Sequence, residues 1–173
     1  DPTPRAQRHV DQLHRNASSG IPTSINDAVD VWYTLSPGCL TQLHFHAIGL
    51  WSHDRTMRFY APANPAHVSH SIVNLQQTAD YFEADCRTLG TVMATLGHSD
   101  VSLLKLDVEG AEYEILSSIL VSDIRPAILC VEFDEGYHPL DDDYLPRIVD
   151  MVSRVKAGGY YLTSVDGWNA TFV

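Results

Sequence analysis

Two short apolar runs with a helical segment between them constrain the fold of this chain more than any other feature. Residues 101–106 and 127–133 are rich in Val, Ile and Leu, and the second run is apolar almost throughout. Such runs are typical of strands that are buried on both faces of a parallel sheet. Between them, residues 111–120 place Ala111, Ile115 and Ile119 at helical spacing. Strand, helix and strand together predict an α/β sheet that is covered on both faces.

The same alternation continues on both sides of these runs. Thr3 and Pro4 suit a helix start, and Gly97 and Gly158 suit two helix ends. Helices are predicted over residues 88–96, 111–120 and 145–155, and over a first segment with Ala6, Val10, Leu13 and Ala17 on one face. Strands are predicted over residues 40–48, 56–60, 71–75, 101–106, 127–133, 160–164 and 168–173. Residues 18–37 hold turn formers and are predicted to be irregular.

Composition argues against several classes of protein. The 173 residues suit one domain, and the net charge of −11, from 22 acidic and 11 basic residues, would repel a phosphate backbone. Nucleic acid is therefore not expected as a partner. No apolar run reaches the length of a membrane span, and three widely spaced cysteines give no disulfide framework. These features predict a cytoplasmic protein.

Three acidic residues, Asp107, Glu109 and Glu112, cluster where a buried strand ends and a glycine turn leads into a helix. Ligands of open α/β sheets bind beside the carboxyl ends of the strands, and Lys105 shares a strand face with Asp107. Acids near a helix start are also favoured by the helix dipole without any catalytic role. The spacing alone therefore leaves a functional and a structural interpretation open.

The segment LLKLDVEGAEYEIL, residues 103–116, closely resembles the signature of FkbM-type methyltransferases. The specific part is its order of lysine, aspartate, glutamate, glycine, a small residue and glutamate. Further segments are similar to the elements around that signature: FHAIGL at 45–50, MRF at 57–59, CRTL at 86–89, ILCVEF at 128–133 and NATFV at 169–173. The resemblance covers most of residues 40–173.

This resemblance implies a fold and a truncation. The fold is α/β, with a Rossmann-like class I methyltransferase sheet that is mostly parallel and has an antiparallel C-terminal strand. No glycine-rich turn follows a strand here, so the first strand and most of the second are expected to be missing. Residues 1–173 are then a single truncated domain. The signature strand would keep an unpaired edge, so this chain alone is expected to bind cofactor weakly and to be inactive.

The resemblance also implies S-adenosylmethionine as the cofactor. The end of the second strand is matched by Asp1, which is therefore implied to bind the ribose hydroxyls. The residues that are implied to line the adenine are Ala47, Ile48 and Gly49. Asp107 is implied to lie near the methionine end of the cofactor or near the acceptor.

The expected reaction is methyl transfer to a hydroxyl oxygen of a small molecule, a sugar or a glycan. Asp107, Glu109 and Glu132 are the expected catalytic residues, because carboxylates at neighbouring strand ends can orient a hydroxyl and remove its proton. The acceptor pocket is expected in the loops at 18–37 and 61–80. No metal is predicted, although Asp107 with Glu132 or Asp134 offers hard oxygen ligands for a divalent ion.

Two functions of other classes stay open on the sequence alone. A degenerate α/β module could bind a partner and catalyse nothing, and a metal-dependent hydrolase could use the same strand-end acids. The retained signature residues, from Lys105 to Glu112, argue against the degenerate module. A hydrolase gives no reason for a ribose-binding acid at Asp1. Neither the acceptor nor the oligomeric state follows from the sequence.

Overall fold

The computed structural model describes residues 1–26, 29–64 and 69–173. Within it the chain divides into two compact units, Asp1–Gly49 and Leu50–Val173, and each unit has its own buried apolar cluster. The assignment of residues 1–173 to one methyltransferase domain stays a prediction. None of the helices in the described ranges combines the length and the apolar character that crossing a membrane requires.

The first unit begins with the helix that the sequence predicts. Helix α1 (Pro4–Ser18) follows Thr3, whose Oγ1 accepts a hydrogen bond from the main-chain N–H of Ala6 at 3.2 Å. Capping by Thr3 and the fixed backbone angle of Pro4 both favour a helix start at this point. Leu13 and Ala17 lie on its inner face and pack with Leu40.

The prediction that residues 18–37 are irregular is wrong for most of their described part, which leaves out residues 27–28. This part contains strand β1 (Thr23–Asn26), which pairs in antiparallel fashion with strand β2 (Val29–Tyr33). The β-branched and aromatic residues of β2 favour an extended backbone more strongly than the neighbouring turn formers oppose it.

The strand that was predicted over residues 40–48 is also wrong. Leu40 instead ends the short helix α2 (Pro37–Leu40), which Pro37 starts at its first position. Residues 41–48 form no strand, and regular pairing begins only at the two-residue strand β3 (Gly49–Leu50). In place of a ladder, the carbonyls of His46 and Ile48 accept from the main-chain nitrogen of Asp1 at 3.5 and 3.2 Å.

The second unit opens with an antiparallel strand pair. Strand β4 (Arg55–Tyr60) confirms the prediction over residues 56–60 and pairs with β5 (Tyr81–Arg87), which the sequence analysis missed. The strand predicted over residues 71–75 is reduced to a single bridge between Ser71 and Tyr60. Part of the predicted acceptor loop at 61–80, residues 65–68, lies outside the described residues.

Three helices of the second unit confirm their predictions. Helix α3 (Leu89–Leu96) begins after Thr88, whose Oγ1 accepts from the Thr91 N–H at 3.1 Å, and ends at Gly97 with a φ of 71°. Helices α4 (Glu112–Leu120) and α5 (Tyr144–Ala157) follow. In α5, Ile148, Met151 and Val155 are buried, whereas Leu145 and Val149 are about half exposed.

The main sheet of this unit consists of β6 (Leu103–Leu106), β7 (Ile128–Glu132), β8 (Leu162–Asp166) and β9 (Asn169–Phe172), in the order β6–β7–β9–β8. Strands β6 and β7 pair in parallel, whereas β9 is antiparallel to both of its neighbours. It follows that β6, β7 and β8 share one direction and that the last strand runs against them. The mixed α/β class and the antiparallel C-terminal strand are therefore confirmed.

The core of this unit lies between the main sheet and helices α4 and α5. Its buried members are Leu106, Ala111, Ile115, Leu116, Ile119, Leu129, Val131, Phe133, Ile148, Met151, Val155, Tyr160, Ala170 and Phe172. This core fixes the carboxyl ends of β6 and β7 side by side, since Leu106 pairs directly with Val131. The residues that follow these two strands are therefore held at the same edge of the sheet.

Candidate functional site

A lysine joins the ends of the two parallel strands. Lys105 Nζ lies 3.0 Å from Asp107 Oδ2 and 3.5 Å from Glu132 Oε2. Burial alone would lower the pKa of Lys105, but the hydrogen bond and the charge of Asp107, together with Glu132, raise it above its ordinary value. The lysine is therefore a permanent cation. The pairing of Lys105 with Asp107 follows from the period-two spacing in the sequence.

The turn after β6 has an unusual backbone. Glu109 has a φ of 53° and Gly110 a φ of 98°, both in the left-handed region. A side chain at Gly110 would also meet Leu75 Cδ1 at 2.8 Å, so both the backbone angle and the space require glycine there. Glu109 itself is held by its main chain: its carbonyl accepts from Ser71 Oγ, and its N–H donates to Asp134 Oδ2 at 2.9 Å.

The side chain of Glu112 binds the main chain of the same turn. Its Oε1 accepts from the main-chain N–H groups of Val108 at 3.2 Å and Gly110 at 3.1 Å, while Oε2 is buried without a hydrogen-bond partner among the described residues. The residue is fully buried at the first position of α4. Glu112 is thus a positioning residue for the turn, which the sequence analysis placed in the acidic cluster without assigning it this contact.

Burial changes the proton affinity of two of these carboxyls. It raises the pKa of Glu112 to about 8, with a further contribution from the charge of Asp134. It raises the pKa of Asp134 to about 7, and the charge of Glu109 adds to the effect. Two neighbouring carboxyls that both resist ionisation are typical of groups that share a proton or await a cation.

The connection after β7 carries a second buried carboxylate. A single 3-10 turn (Asp134–Gly136) follows the strand, and Glu135 in it is 1% exposed. Arg147 donates to both carboxylate oxygens of Glu135, and the Tyr113 hydroxyl donates to Oε2 at 2.9 Å. These contacts neutralise Glu135, so it serves the structure of this connection.

The predicted catalytic residues are brought together in part. Oxygens of Asp107, Glu109 and Asp134 all lie within 4.8 Å of one another. Glu132 reaches this group through Lys105, and its side chain is 22% exposed. Asp134 was named only as a metal alternative, and its position two residues after β7 was the signal that could have raised it further.

The predicted cofactor-binding residues of the first unit also lie together. The main-chain nitrogen of Asp1 donates to the Ile48 carbonyl, and its Oδ1 accepts from the Thr3 N–H at 2.8 Å. Ala47 is exposed, Ile48 half-buried and Gly49 buried. These contacts place Asp1 beside the segment that was predicted to line the adenine, although no strand ladder joins them. Their cofactor role stays a prediction.

Space for a small molecule exists along β4. A cavity of about 380 Å³ is lined by Arg55, Thr56, Met57, Arg58, Tyr60, Ile72 and Glu83. This volume falls in the range of roughly 300–1,000 Å³ that is usual for ligand pockets. Glu109 borders a different cavity of about 10 Å³, which is large enough for one water molecule. Tyr60 lines both cavities.

The comparisons with known proteins agree with the signature on β6 and α4. The profile of the Methyltransferase FkbM domain matches residues 4–160, which is most of the chain. Neither a curated protein nor a solved structure gives a significant match. A match over this length shows the family, and it includes the strand ends that carry Asp107, Glu109 and Glu132. The chain therefore belongs to the FkbM methyltransferase domain family.

Proposed function

We propose that this chain acts in an S-adenosylmethionine-dependent methyltransferase that methylates a hydroxyl oxygen of a small molecule, a sugar or a glycan. The observation that supports this most is the group of carboxylates that Lys105 and the turn after β6 hold at two neighbouring strand ends. Family membership favours a methyltransferase over the partner-binding module and over the hydrolase.

The donor set fits the cofactor that the family implies. Lys105 pairs with Asp107 and Glu132 at these strand ends, and oxygens of Asp107, Glu109 and Asp134 lie within 4.8 Å of one another. Acidic groups that outnumber the basic ones suit a sulfonium cation. When bound, S-adenosylmethionine supplies an activated methyl group. Asp107 would contact the methionine end or the acceptor, and Asp1, Ala47, Ile48 and Gly49 would contact the ribose and the adenine.

The protein's own task is then to orient a hydroxyl and to accept its proton. Glu109 and Glu132 are the two bases proposed for that step. Glu132 lies 3.5 Å from the ammonium of Lys105, whereas no ion pair of Glu109 is found in the described part of the chain. Lys105 orients Asp107 and Glu132 relative to each other.

Cofactor binding is the first test. Calorimetry of the full-length gene product with S-adenosylmethionine should give binding, and Asp107→Asn should weaken it. Asp150→Asn, which removes an exposed charge from α5, is the matched control. A folded protein that shows no binding up to about 1 mM, the upper end of usual enzyme affinities, would contradict the proposal.

The base is tested by methyl transfer from labelled cofactor to a panel of hexoses, oligosaccharides and phenols. Loss of the general base should lower kcat by roughly 10²–10⁴-fold and remove the acidic limb of the pH profile. Glu109→Gln and Glu132→Gln are compared under the same conditions. If both variants keep the full rate and the full pH profile, neither glutamate is the base.

A further inference from the structure

The cavity of about 380 Å³ along β4 is a basic site on an acidic protein. Two of the eleven basic residues of the chain, Arg55 and Arg58, line it. Glu83 is the single acid among its described lining residues. The chain as a whole carries a net charge of −11, so an excess of positive charge around one cavity is a local exception.

The side chain of Arg55 supplies the cation of this cavity. Neither a hydrogen bond nor an ion pair of its guanidinium is found in the described part of the chain. The Cys86 thiol lies close enough to interact with it, but burial raises the pKa of that thiol to about 11 and keeps it neutral. A guanidinium presents five N–H donors in a planar fork, which matches two oxygens of a carboxylate or a phosphate. Arg55 is therefore free to bind an anion from solvent.

Arg58 is held in place by residues of β5. Its Nε lies 3.4 Å from Glu83 Oε1, and its guanidinium carbon lies 4.6 Å from the centre of the Tyr81 ring. The hydrogen bond with Glu83 raises the pKa of Arg58, and Tyr81 and Tyr60 add to the effect. Glu83 offsets the charge of Arg58, so the charge of Arg55 is the excess that a ligand of this cavity meets.

The main chain of β4 adds hydrogen-bond donors on its outer side. Strand β4 is an outer strand of the order β3–β5–β4, and Tyr60 exchanges hydrogen bonds of 2.8 and 3.0 Å with Ser71 on the side away from β5. Because the direction of the N–H groups alternates along an antiparallel strand, those of Thr56 and Arg58 also point away from β5. Among the described residues, no strand lies beside them there. An anion in the cavity can therefore accept from these N–H groups as well as from Arg55.

Ser71 connects this cavity with the turn after β6. Its main chain pairs with Tyr60 of β4, and its Oγ donates to the carbonyl of Glu109. Tyr60 and Glu109 also line the small cavity of about 10 Å³ together. A ligand that lies along β4 is therefore close to the turn that carries one of the two proposed bases.

We propose that the cavity along β4 binds the anionic group of the methyl acceptor, and that the acceptor is an acidic sugar or another small hydroxyl compound with a carboxylate or a phosphate. Arg55 pairs with the charged oxygens, and the N–H groups of Thr56 and Arg58 add hydrogen bonds. The carboxylates at the strand ends would repel such a group, so it lies beside the arginines and not beside Asp107. The volume of about 380 Å³ suits a small molecule.

The role of the ligand as a methyl acceptor rests on the proposed function, whereas the binding of the anion does not. Anion binding requires neither S-adenosylmethionine nor the carboxylates at the strand ends. The two proposals can therefore fail separately, and binding and methyl transfer are measured in separate experiments.

The first experiment is calorimetry of the full-length gene product with glucuronate, glucose 6-phosphate and neutral glucose. We expect both anions to bind with a Kd of about 1 mM or below, as is usual for substrates, and glucose to bind at least about tenfold more weakly. Arg55→Gln should weaken both anions at least about tenfold and leave glucose unchanged, because it removes hydrogen bonds between charged groups. Arg55→Lys should restore part of the affinity, since it keeps the charge and loses the fork. Arg154→Gln, which removes an exposed charge from α5, is the matched control and should change nothing.

The second experiment is methyl transfer from labelled S-adenosylmethionine to the same three sugars. Arg55→Gln should raise KM for the acidic sugars at least about tenfold with little change in kcat, because Arg55 binds the anionic group and not the reacting hydroxyl. Anion binding by a protein that does not bind S-adenosylmethionine would support the basic site and contradict the methyltransferase. Methyl transfer to glucose but to neither acidic sugar would support the methyltransferase and contradict the acidic acceptor.

Two binding results would overturn the anion site itself. The first is a folded wild-type protein, checked by circular dichroism, that binds neither anion up to about 10 mM, well above the weakest expected Kd. The second is an equal loss of affinity in Arg55→Gln and Arg154→Gln, which would assign the binding to surface charge in general. Since the side chain of Arg55 is exposed, its replacement should leave the protein folded.

Discussion

Two buried carboxylates of the second unit, Glu135 and Glu112, are compensated in different ways. Glu135 receives a guanidinium and a tyrosine hydroxyl, so each oxygen has a strong donor. Glu112 receives only two main-chain N–H groups on one oxygen, and its other oxygen has no partner among the described residues. Glu135 therefore belongs to a complete ion pair that stabilises the fold. Glu112 keeps one carboxyl oxygen that can bind a proton or a ligand.

The largest effect on stability is expected from breaking the ion pair between Arg147 and Glu135. Arg147→Met should lower the free energy of unfolding more than any of the other substitutions below, because it leaves buried Glu135 without its cation. Chemical denaturation would measure this loss. Arg154→Met on the same helix is the control, since the Arg154 side chain makes an exposed contact with Ser117. An equal loss in both variants would show that the ion pair with Glu135 contributes no more to stability than the exposed contact of Arg154 does.

The stability of the protein should depend on pH because of the carboxyls of Glu112 and Asp134. Folding raises the pKa of Glu112 from 4.5 to about 8 and that of Asp134 from 3.8 to about 7. Between the unfolded and the folded pKa values, the unfolded state binds fewer protons than the folded state. The free energy of unfolding therefore falls as the pH rises from about 4 to about 8. The slope is at most about 1.4 kcal/mol per pH unit for each proton.

Denaturant titrations in the presence of a chelator would measure that slope. Glu112→Gln should flatten it, because the amide cannot ionise. Glu114→Gln is the control, since Glu114 lies on the exposed face of the same helix. A wild-type stability that rises between pH 5 and 8 would contradict the expected direction.

The glycine of the turn gives a smaller effect. Gly110→Ala should cost roughly 1–3 kcal/mol, because alanine is strained at a φ of 98° and its Cβ would meet Leu75. Gly97→Ala shares the positive φ but has no atom within 4 Å of the added Cβ. The difference between the two variants in thermal unfolding isolates the contact. If Gly97→Ala costs as much, the contact with Leu75 is unimportant.

The smallest effect is expected for an exposed ion pair. Arg58 and Glu83 lie 3.4 Å apart across β4 and β5, with side chains that are 53% and 57% exposed. Arg58→Met should cost far less than Arg147→Met, and high salt should remove most of that cost. Denaturant titration at low and at high salt would measure it. A loss close to that of Arg147→Met would erase the distinction between buried and exposed pairs.

The elements that local patterns define could be predicted from the sequence. Thr3, Thr88 and Gly97 mark helix ends by short-range chemistry, and the apolar runs around β6 and β7 define parallel strands. The prediction of a strand at 40–48 failed because a strand requires a neighbouring strand to pair with. No pattern in a single sequence shows whether such a neighbour is present. Strand β5 was missed although Phe82, Ala84 and Cys86 alternate with charged residues, because alanine, aspartate and glutamate are uncommon in strands and mask the pattern.

The site was predictable in its location and less so in its roles. The signature pointed to Asp107 and Glu109, and the period of two pointed to Lys105. The role of Glu112 depends on a side chain that reaches back to a turn with two residues at positive φ, which is a tertiary property. Asp134 becomes a partner of Glu109 only because the register of β6 and β7 aligns the two strand ends.

Gly136 and Trp168 illustrate a constraint that reaches from this site to the end of the chain. A Cβ on Gly136 would lie 2.1 Å from the Trp168 ring, and Phe133 donates its N–H to the Trp168 carbonyl at 2.9 Å. The turn between β8 and β9 is thus pressed against the segment that carries Asp134. In evolutionary terms the two positions form one unit: homologues that replace the glycine should carry a smaller residue in place of the tryptophan, and the two changes should be inherited together.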